Sequence, residues 1–127
     1  LDGASRAAAT VDAGLHQPWY VARKDLQRNT LWVVPGHDHR WLQYRSLRAD
    51  DASWVSGVAP GAGALTAKSR YRQADADAVL SAGPSDASFL LDFAQAQWAV
   101  TPGQSAVLYA GEVCLGGGVI HSATEAV

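Results

Sequence analysis

The chain has 127 residues with a formal net charge of −2, a single Cys and no Met, which allows one compact core with a small appended subdomain but not two full domains. The single cysteine excludes an internal disulfide framework or a zinc site built from cysteines, and it favours a reducing, cytoplasmic location. No apolar run approaches the roughly 20 residues of a membrane span, and because Leu1 is not an initiator we expect a fragment of a longer protein with no membrane partner.

The first 45 residues are predicted to contain a lead-in and a β-hairpin. Residues 1–17 show no sustained period and are predicted to be a flexible lead-in. Within 18–45, the runs PWYVA and TLWVV flank the polar stretch RKDLQRN, a pattern that predicts a β-hairpin, with Asn29 able to take the left-handed conformation that closes it.

The GHDH segment follows the hairpin. His37 and His39 would share one face of an extended strand, but a metal site needs three or four ligands and no further cluster accompanies them. We therefore interpret the segment as a turn in which Asp38 hydrogen-bonds the backbone, and we predict no metal site.

Residues 46–127 are predicted to form the barrel. A strand from Trp41 to Leu47 leads into it, and Asp50 with Asp51 indicates a turn or a single helical turn. The stretch VSGVAPGAGA predicts a loop. Residues 64–71 then alternate as a strand, with one face apolar and the other cationic. The expected faces are Leu65, Ala67, Ser69 and Tyr71 on one side and Thr66, Lys68, Arg70 and Arg72 on the other.

Later runs complete the prediction. ADAVLSA is expected to pair back on the preceding strand, and FLLDF places Phe89, Leu91 and Phe93 on a shared face. SAVLYA and the run around Val119 add two strands, joined through glycines at 116–118 that allow a bulge or a close approach. The predicted fold is all-β: a small antiparallel β-barrel of about six strands with a short β-hairpin subdomain before it.

No residue is predicted to be catalytic. Cys114 could be a nucleophile, but Val113 and Leu115 flank it, so a buried, inert thiol is the favoured interpretation. Glycines 116–118 lack the spacing of a phosphate-binding loop.

The basic residues give the strongest functional signal. All Lys and Arg lie before residue 73, which leaves residues 1–72 at +4 and 73–127 at −6. Three cations on one strand face suit a polyanion such as RNA, and solvated side chains partly neutralised by Asp75 and Asp77 are an equally weighted alternative. The RNA-binding candidates are Lys68, Arg70 and Arg72, extended by Arg23, Lys24, Arg28, Arg40, Arg45 and Arg48.

The tryptophans divide into two groups. Trp41 lies beside Arg40 and is the one proposed as a stacking platform for a base. The others lie in apolar contexts and are predicted to be core residues: Trp19, Trp32, Trp54 and Trp98.

Three strings together resemble the C-terminal part of the bacterial tRNA-specific 2-thiouridylases. They are PWYVARKDLQRNTLWVVPGHDH at 18–39, TAKSRYRQ at 66–73 and AVTPGQSAVLYAGEVCLGGGVI at 99–120. The resemblance implies that 18–45 ends a small central domain and that 46–127 is a C-terminal β-barrel. The family's GQRKGLG string is missing, and residues 1–17 match nothing in it.

The resemblance also implies an activity for the parent protein. Members of the family use ATP, with Mg, to adenylate C2 of the wobble uridine of tRNA, and sulfur from a persulfide on a relay protein replaces the oxygen. The nucleotide-binding SGGVDSS loop and the two reactive cysteines have no match here, so no cofactor and no catalytic role are expected within this chain. The implied partners are the anticodon arm of tRNA, the missing catalytic domain and the sulfur-relay protein.

Two alternatives stay open at this stage. The barrel could be a structural or protein-docking surface that touches tRNA little, or the chain could be a stand-alone module for single-stranded nucleic acid.

Overall fold

The computed structural model describes residues 10–11 and 18–126, which form two β-sheets and a single short 3-10 helix over Arg40–Leu42. The strands of the first sheet are β1 (Thr10–Val11), β2 (Trp19–Asp25) and β3 (Thr30–Pro35). Those of the second are β4 (Gln43–Trp54), β5 (Gly63–Lys68), β6 (Ala76–Ala82), β7 (Phe89–Trp98), β8 (Ser105–Ala110) and β9 (Val113–Glu125).

The first sheet, which we call the hairpin sheet, contains the predicted hairpin. β2 and β3 pair antiparallel, and Asn29 closes their turn in the left-handed region with φ 51°. Asp25 Oδ1 accepts hydrogen bonds from the backbone N–H of Gln27 at 3.0 Å and of Arg28 at 3.1 Å, which fixes the turn. The predicted hairpin and the conformation of Asn29 are therefore confirmed.

The hairpin sheet has a third strand. β1 pairs antiparallel with β2, with Thr10 opposite Tyr20. These two residues therefore belong to a strand, which differs from the flexible lead-in predicted for 1–17. The rest of that lead-in lies outside the described residues.

The second sheet is a closed, all-antiparallel barrel of six strands in the order β4-β7-β6-β5-β8-β9, with β9 pairing back on β4. The predicted all-β fold, a barrel of about six strands preceded by a hairpin subdomain, is confirmed. The first barrel strand begins at Gln43, whereas the sequence placed the start of the barrel at residue 46.

The turn predicted at Asp50 and Asp51 is wrong. Both residues lie inside β4, where the pairing with β9 shifts register between Asp50 and Ser53. Asp51 has φ 53°, so the polar pair marks a β-bulge in a long strand.

Alternation along β7 builds the core. Phe89, Leu91 and Phe93 are buried as predicted, while Leu90 and Asp92 between them face outward. Trp54 packs against Phe89 with ring centroids 5.5 Å apart. The residues that share this core are Leu47, Ala49, Ala67, Ala78, Leu80, Phe89, Leu91, Phe93, Val100, Ala106, Leu108 and Ile120.

Glycines 116–118 let β9 approach both of its neighbours. A Cβ on Gly117 would collide with the carbonyl oxygen of Ala106 on β8, and one on Gly116 would collide with the carbonyl oxygen of Ser53 on β4. The predicted close approach between barrel strands is confirmed, and the cause is backbone contact on two sides of the same strand.

Successive barrel strands alternate in direction, because all pairs are antiparallel, and the barrel therefore has two distinct ends. The connections 69–75 and 99–104 lie at the end where β4 starts and β9 finishes, next to the hairpin sheet. We call this the hairpin end. The connections 55–62, 83–88 and 111–112 lie at the opposite end, which we call the far end.

Candidate nucleic-acid interface

The segment that carries the strongest basic signal is a loop at the hairpin end. β5 stops at Lys68, and the chain turns through 69–75, with Arg72 in the left-handed region at φ 66°. Tyr71 is 91% exposed, although the predicted alternation gave it the same face as the buried Ser69. The prediction of a three-cation ladder on one strand face is therefore wrong, because the strand ends before Arg70.

Hydrogen bonds that involve Gln73 and Gln97 fix the conformation of this loop. The backbone N–H and the hydroxyl of the buried Ser69 both donate to Gln73 Oε1 at 3.2 Å. Gln73 Nε2 in turn donates to Gln97 Oε1 on β7 at 3.1 Å. The loop is thus tied to the barrel wall, and Gln73 and Gln97 are residues that sequence reasoning missed.

Arg70 lies against the barrel and has limited freedom. Its guanidinium carbon is 4.9 Å from the centre of the Trp98 ring, and Nη1 donates to the carbonyl oxygen of Ala99 at 3.3 Å. Burial lowers the pKa of Arg70 from its ordinary value. An arginine nevertheless stays charged at neutral pH, so Arg70 presents a fixed positive charge.

Lys68 is partly neutralised. Its Nζ is 3.4 Å from Asp75 Oδ1 and 5.5 Å from the centre of the Tyr109 ring. Asp75 is one of the two acids expected to oppose the bases, so the electrostatic contribution of Lys68 to a polyanion is smaller than that of the two arginines.

Lys68, Arg70 and Arg72 lie close together, as predicted, but they surround a surface depression and do not share one strand face. They line an open depression with a volume of about 520 Å³ on the outer barrel wall near the hairpin end. We call it the basic depression. Its lining consists of Lys68, Arg70, Tyr71, Arg72, Gln104, Ser105, Val107 and Tyr109.

The hairpin sheet meets the barrel through a stack centred on Trp98. The Trp98 ring is parallel to the His37 ring, with centroids 4.2 Å apart, and its indole Nε1 donates to the His37 carbonyl oxygen at 2.7 Å. Tyr20 meets the same indole edge-on at 5.9 Å. His37 is therefore part of the junction between the two sheets, and it contacts the same indole ring as Arg70.

The backbone hydrogen bond of this turn is accepted by His39 and not, as predicted, by Asp38. His39 Nδ1 accepts from the Trp41 backbone N–H at 3.1 Å and caps the 3-10 helix, while the Asp38 carboxylate contacts His37 Nδ1 at 3.2 Å. Among the residues that the structure describes, His, Cys, Asp and Glu form no group of three or more that could hold a metal ion.

Arg23 also lies at the junction between the two sheets, where it contacts Glu125 and Trp41. Its Nε donates to Glu125 Oε1 at 3.1 Å and its Nη2 donates to Oε2 at 2.9 Å, and its guanidinium lies 4.2 Å from the centre of the Trp41 ring. Trp41, predicted to be a stacking platform, is thus covered by Arg23. Burial, and to a smaller extent the charge of Glu125, raise the pKa of the neighbouring Tyr44. The charge of Arg23 acts in the opposite direction and lowers this pKa.

The remaining predicted bases are spread over the surface. Arg48 Nε is 3.0 Å from Asp50 Oδ1, and Arg28 Nε is 3.7 Å from Asp25 Oδ2. The side chains of Lys24 on β2 and Arg45 on β4 are exposed. Arg40, also exposed, begins the 3-10 helix. The structure does not bring these residues into the basic depression.

The tryptophans predicted to be core residues behave differently from one another. Trp54 packs on the barrel core and Trp98 joins the two sheets. Trp19 is half-buried on β2. Trp32 is 37% exposed on β3, so its assignment to the core is wrong. Leu31 and Val33, which point to the opposite face of β3, are also 52% and 38% exposed, so an apolar run alone does not show that a strand is buried.

The far end of the barrel has the opposite chemistry. Val55, Val58 and Val113 are 75%, 71% and 64% exposed, and its three connections contain no Lys or Arg. Cys114 is exposed there, so the prediction of a buried thiol is wrong: its strand position turns the side chain outward, beside an apolar depression of about 320 Å³. The two valines of VSGVAPGAGA, a segment predicted only as a loop, are the sequence signal for this apolar surface.

Comparison with known proteins agrees with the fold. Residues 44–120 match the family model of the aminomethyltransferase beta-barrel domain. No helix among the described residues is long and apolar enough to cross a membrane.

Three relatives, each named tRNA-specific 2-thiouridylase MnmA, illustrate the sequence similarity. The chain is 64% identical over 121 residues to the protein of Methylibium petroleiphilum, covering 95% of this chain and 29% of the relative. It is 61% identical over 120 residues to that of Albidiferax ferrireducens, covering 94% and 31%. It is 62% identical over 120 residues to that of Bordetella avium, covering 94% and 30%. The chain thus spans about three-tenths of the length of these relatives.

Proposed function

Since this chain belongs to the aminomethyltransferase beta-barrel domain family, and since its relatives are tRNA-specific 2-thiouridylases, we propose that it is the barrel-bearing part of a tRNA-uridine 2-sulfurtransferase and contacts tRNA. The observation that carries the RNA contact is the basic depression. It gathers Lys68, Arg70 and Arg72 with Tyr71 and Tyr109 at the hairpin end of the barrel.

The chemistry of the parent enzyme is part of the same proposal. ATP, with Mg, would activate C2 of the wobble uridine, and a persulfide from a relay protein would supply the sulfur, in the cytoplasm. Those groups do not fit this chain: glycines 116–118 lie against the backbone of Ser53 and Ala106, so they cannot cradle a phosphate. The chain's own contribution is to bind and orient the anticodon arm.

The charges of the basic depression support RNA over a purely structural role. Arg70 and Arg72 lie close to aromatic rings, at 4.9 and 5.6 Å, and among the ion pairs of the described residues neither has an acidic partner. Cations that do not neutralise acids of their own chain are available to phosphates, and phosphate contacts position a protein on nucleic acid. Arg23, by contrast, already has Glu125.

The test is the salt dependence of tRNA binding by the chain. Replacing Arg70 and Arg72 together with Gln removes two phosphate contacts, so the slope of log affinity against log salt should fall by about 1.4 to 1.8. The Arg72→Gln change keeps the backbone cost of φ 66° nearly the same, because neither residue is glycine.

A matched control removes two arginines that already face acids. Arg28→Gln with Arg48→Gln lowers the net charge equally but should change the slope by less than half as much, because Asp25 and Asp50 already neutralise them. Equal slopes for the two double variants would contradict the RNA contact at the basic depression.

A second candidate function rests on a separate observation. The exposed Val55, Val58 and Val113 lie at the far end, whose connections contain Asp86 and Glu112 but no Lys or Arg, and they suit contact with protein, which would make the barrel a docking surface. Crosslinking the chain to thio-substituted tRNA separates the two functions. Crosslinks at 69–73 favour the RNA contact, and tRNA that crosslinks nowhere on the chain favours docking.

A further inference from the structure

Tyr71 is an exposed aromatic side chain outside the core, and the guanidinium carbon of Arg72 lies 5.6 Å from the centre of its ring. Its ring is 91% exposed at the tip of the 69–75 loop, between two arginines. Burying apolar ring surface is favourable, so a ring held in water between cations offers a stacking surface to a flat, anionic ligand. We propose that Tyr71 and the basic depression bind one unstacked nucleotide of an RNA strand. This inference rests on the proposed function and specifies what the surface recognises.

The dimensions of the depression fit one nucleotide. Its volume of about 520 Å³ falls within the range of roughly 300 to 1,000 Å³ typical of small-ligand sites. Tyr71 forms one wall, and Tyr109 on β8 lies in the lining with Lys68. Gln104 and Ser105 supply polar groups for a base edge or a ribose, while Arg70 and Arg72 supply the charge for its phosphate.

The loop is preorganised for such a ligand. Gln73 accepts from both donors of Ser69 and is itself held by Gln97, and Arg70 is tied to the Ala99 carbonyl oxygen. A loop that is already ordered loses little conformational entropy on binding. Gln73 is therefore a positioning residue, which acts through the loop and does not touch the nucleotide.

The ring selects an unstacked base. In an A-form duplex the faces of the bases are covered by their neighbours, and proteins reach it through phosphates and 2′-hydroxyls. A base in a loop or single strand leaves a face open for an aromatic ring, and stacking tolerates any base because each has a π-face. Arginine contacts alone would serve a duplex equally well, so Tyr71 carries the discrimination.

The experiment measures tRNA binding by the whole chain for wild type, Tyr71→Ala and Tyr71→Phe. Loss of the ring should weaken binding by about 5-fold to about 150-fold, the range of base–aromatic stacking, whereas Tyr71→Phe keeps the ring and should stay within about 2-fold. Val58→Ala, a change of an exposed residue at the far end, is the matched control and should bind as wild type.

A spectroscopic arm reports stacking directly. A short single strand carrying 2-aminopurine should lose fluorescence on binding wild type and Tyr71→Phe but much less on binding Tyr71→Ala. The same strand annealed to its complement should show no such loss. ATP is added as a competitor, because a free nucleotide shares the chemistry of the ligand, and it should displace the strand only at concentrations well above those of the strand.

The outcomes separate the two proposals. Unchanged tRNA binding and unchanged fluorescence in Tyr71→Ala, with a weakened Arg70→Gln, Arg72→Gln variant, would overturn the nucleotide site and leave the proposed function standing. Equal competition by ATP would overturn an RNA nucleotide in favour of a free one. Absence of salt-dependent tRNA binding by wild type would overturn the proposed function and this inference together.

Discussion

Replacing Trp98 with Ala removes the side chain that joins the hairpin sheet to the barrel and supports Arg70. The change eliminates the indole hydrogen bond to the His37 carbonyl oxygen at 2.7 Å, the parallel contact with the His37 ring and the edge contact with Tyr20. It also removes the ring under the Arg70 guanidinium. Trp98 thus makes four separate interactions, three of them with residues of the hairpin sheet and the turn that follows it.

The expected loss of stability in Trp98→Ala can be estimated from those contacts. A net hydrogen bond contributes about 0.5 to 1.5 kcal/mol, each aromatic pair about as much, and an exposed cation–π contact about 0.5 to 1 kcal/mol. Because Trp98 is only half-buried, the lower values apply. We expect Trp98→Ala to lower the free energy of unfolding by about 2 to 4 kcal/mol.

The assay is urea unfolding followed by circular dichroism, with Trp32→Ala as the matched control. Trp32 is 37% exposed on β3, and its replacement should cost about 1 kcal/mol or less. The same two variants are then tested for tRNA binding, where only Trp98→Ala should be impaired, because Arg70 loses its support. A Trp98→Ala variant no less stable than Trp32→Ala would refute the account of the junction.

Two further predictions test other parts of the structure. Gly117→Ala should destabilise the chain by about 1 to 3 kcal/mol, because the new Cβ would collide with the Ala106 carbonyl oxygen. Gly61→Ala, with open space around it, should be nearly neutral when both variants are compared by thermal unfolding. Equal losses of stability would contradict the close approach of β8 and β9. Cys114 should react with a thiol reagent in the folded state as fast as in denaturant, because it is exposed; a reaction that requires unfolding would show that the thiol is covered.

The core of the fold is predictable because it follows local alternation. The buried residues of β7 occupy every second position, and this period survives around the barrel because closure leaves one face of each strand inside. The same rule failed at two places where the backbone departs from a regular strand. Asp51 and Arg72 both have positive φ without being glycine, so the sequence gives no glycine signal for the bulge or for the end of β5.

The candidate site was predictable in composition but not in geometry. Lys68, Arg70 and Arg72 were identified as the important bases, yet their arrangement depends on a loop shape set by Gln73 and on contacts with Trp98, which is 28 positions from Arg70. A contact between residues so distant along the chain cannot be predicted from residue spacing or from charge.

The same limit applies to Arg23. It was grouped with the RNA-binding candidates because of its charge, and its partner Glu125 lies 102 residues away. Only the closure of β9 onto β4 beside the hairpin sheet brings that acid within reach. Charge counts therefore identify cations but do not reveal which of them are already neutralised.

The most direct test of the central claim, that the hairpin end contacts tRNA, is hydrogen–deuterium exchange on the chain with and without tRNA. This contact should slow the exchange of the backbone amides of 69–73 when tRNA is added and leave 55–62 and 111–114 at the far end unchanged. Slower exchange confined to the far end, with 69–73 unaffected, would contradict it.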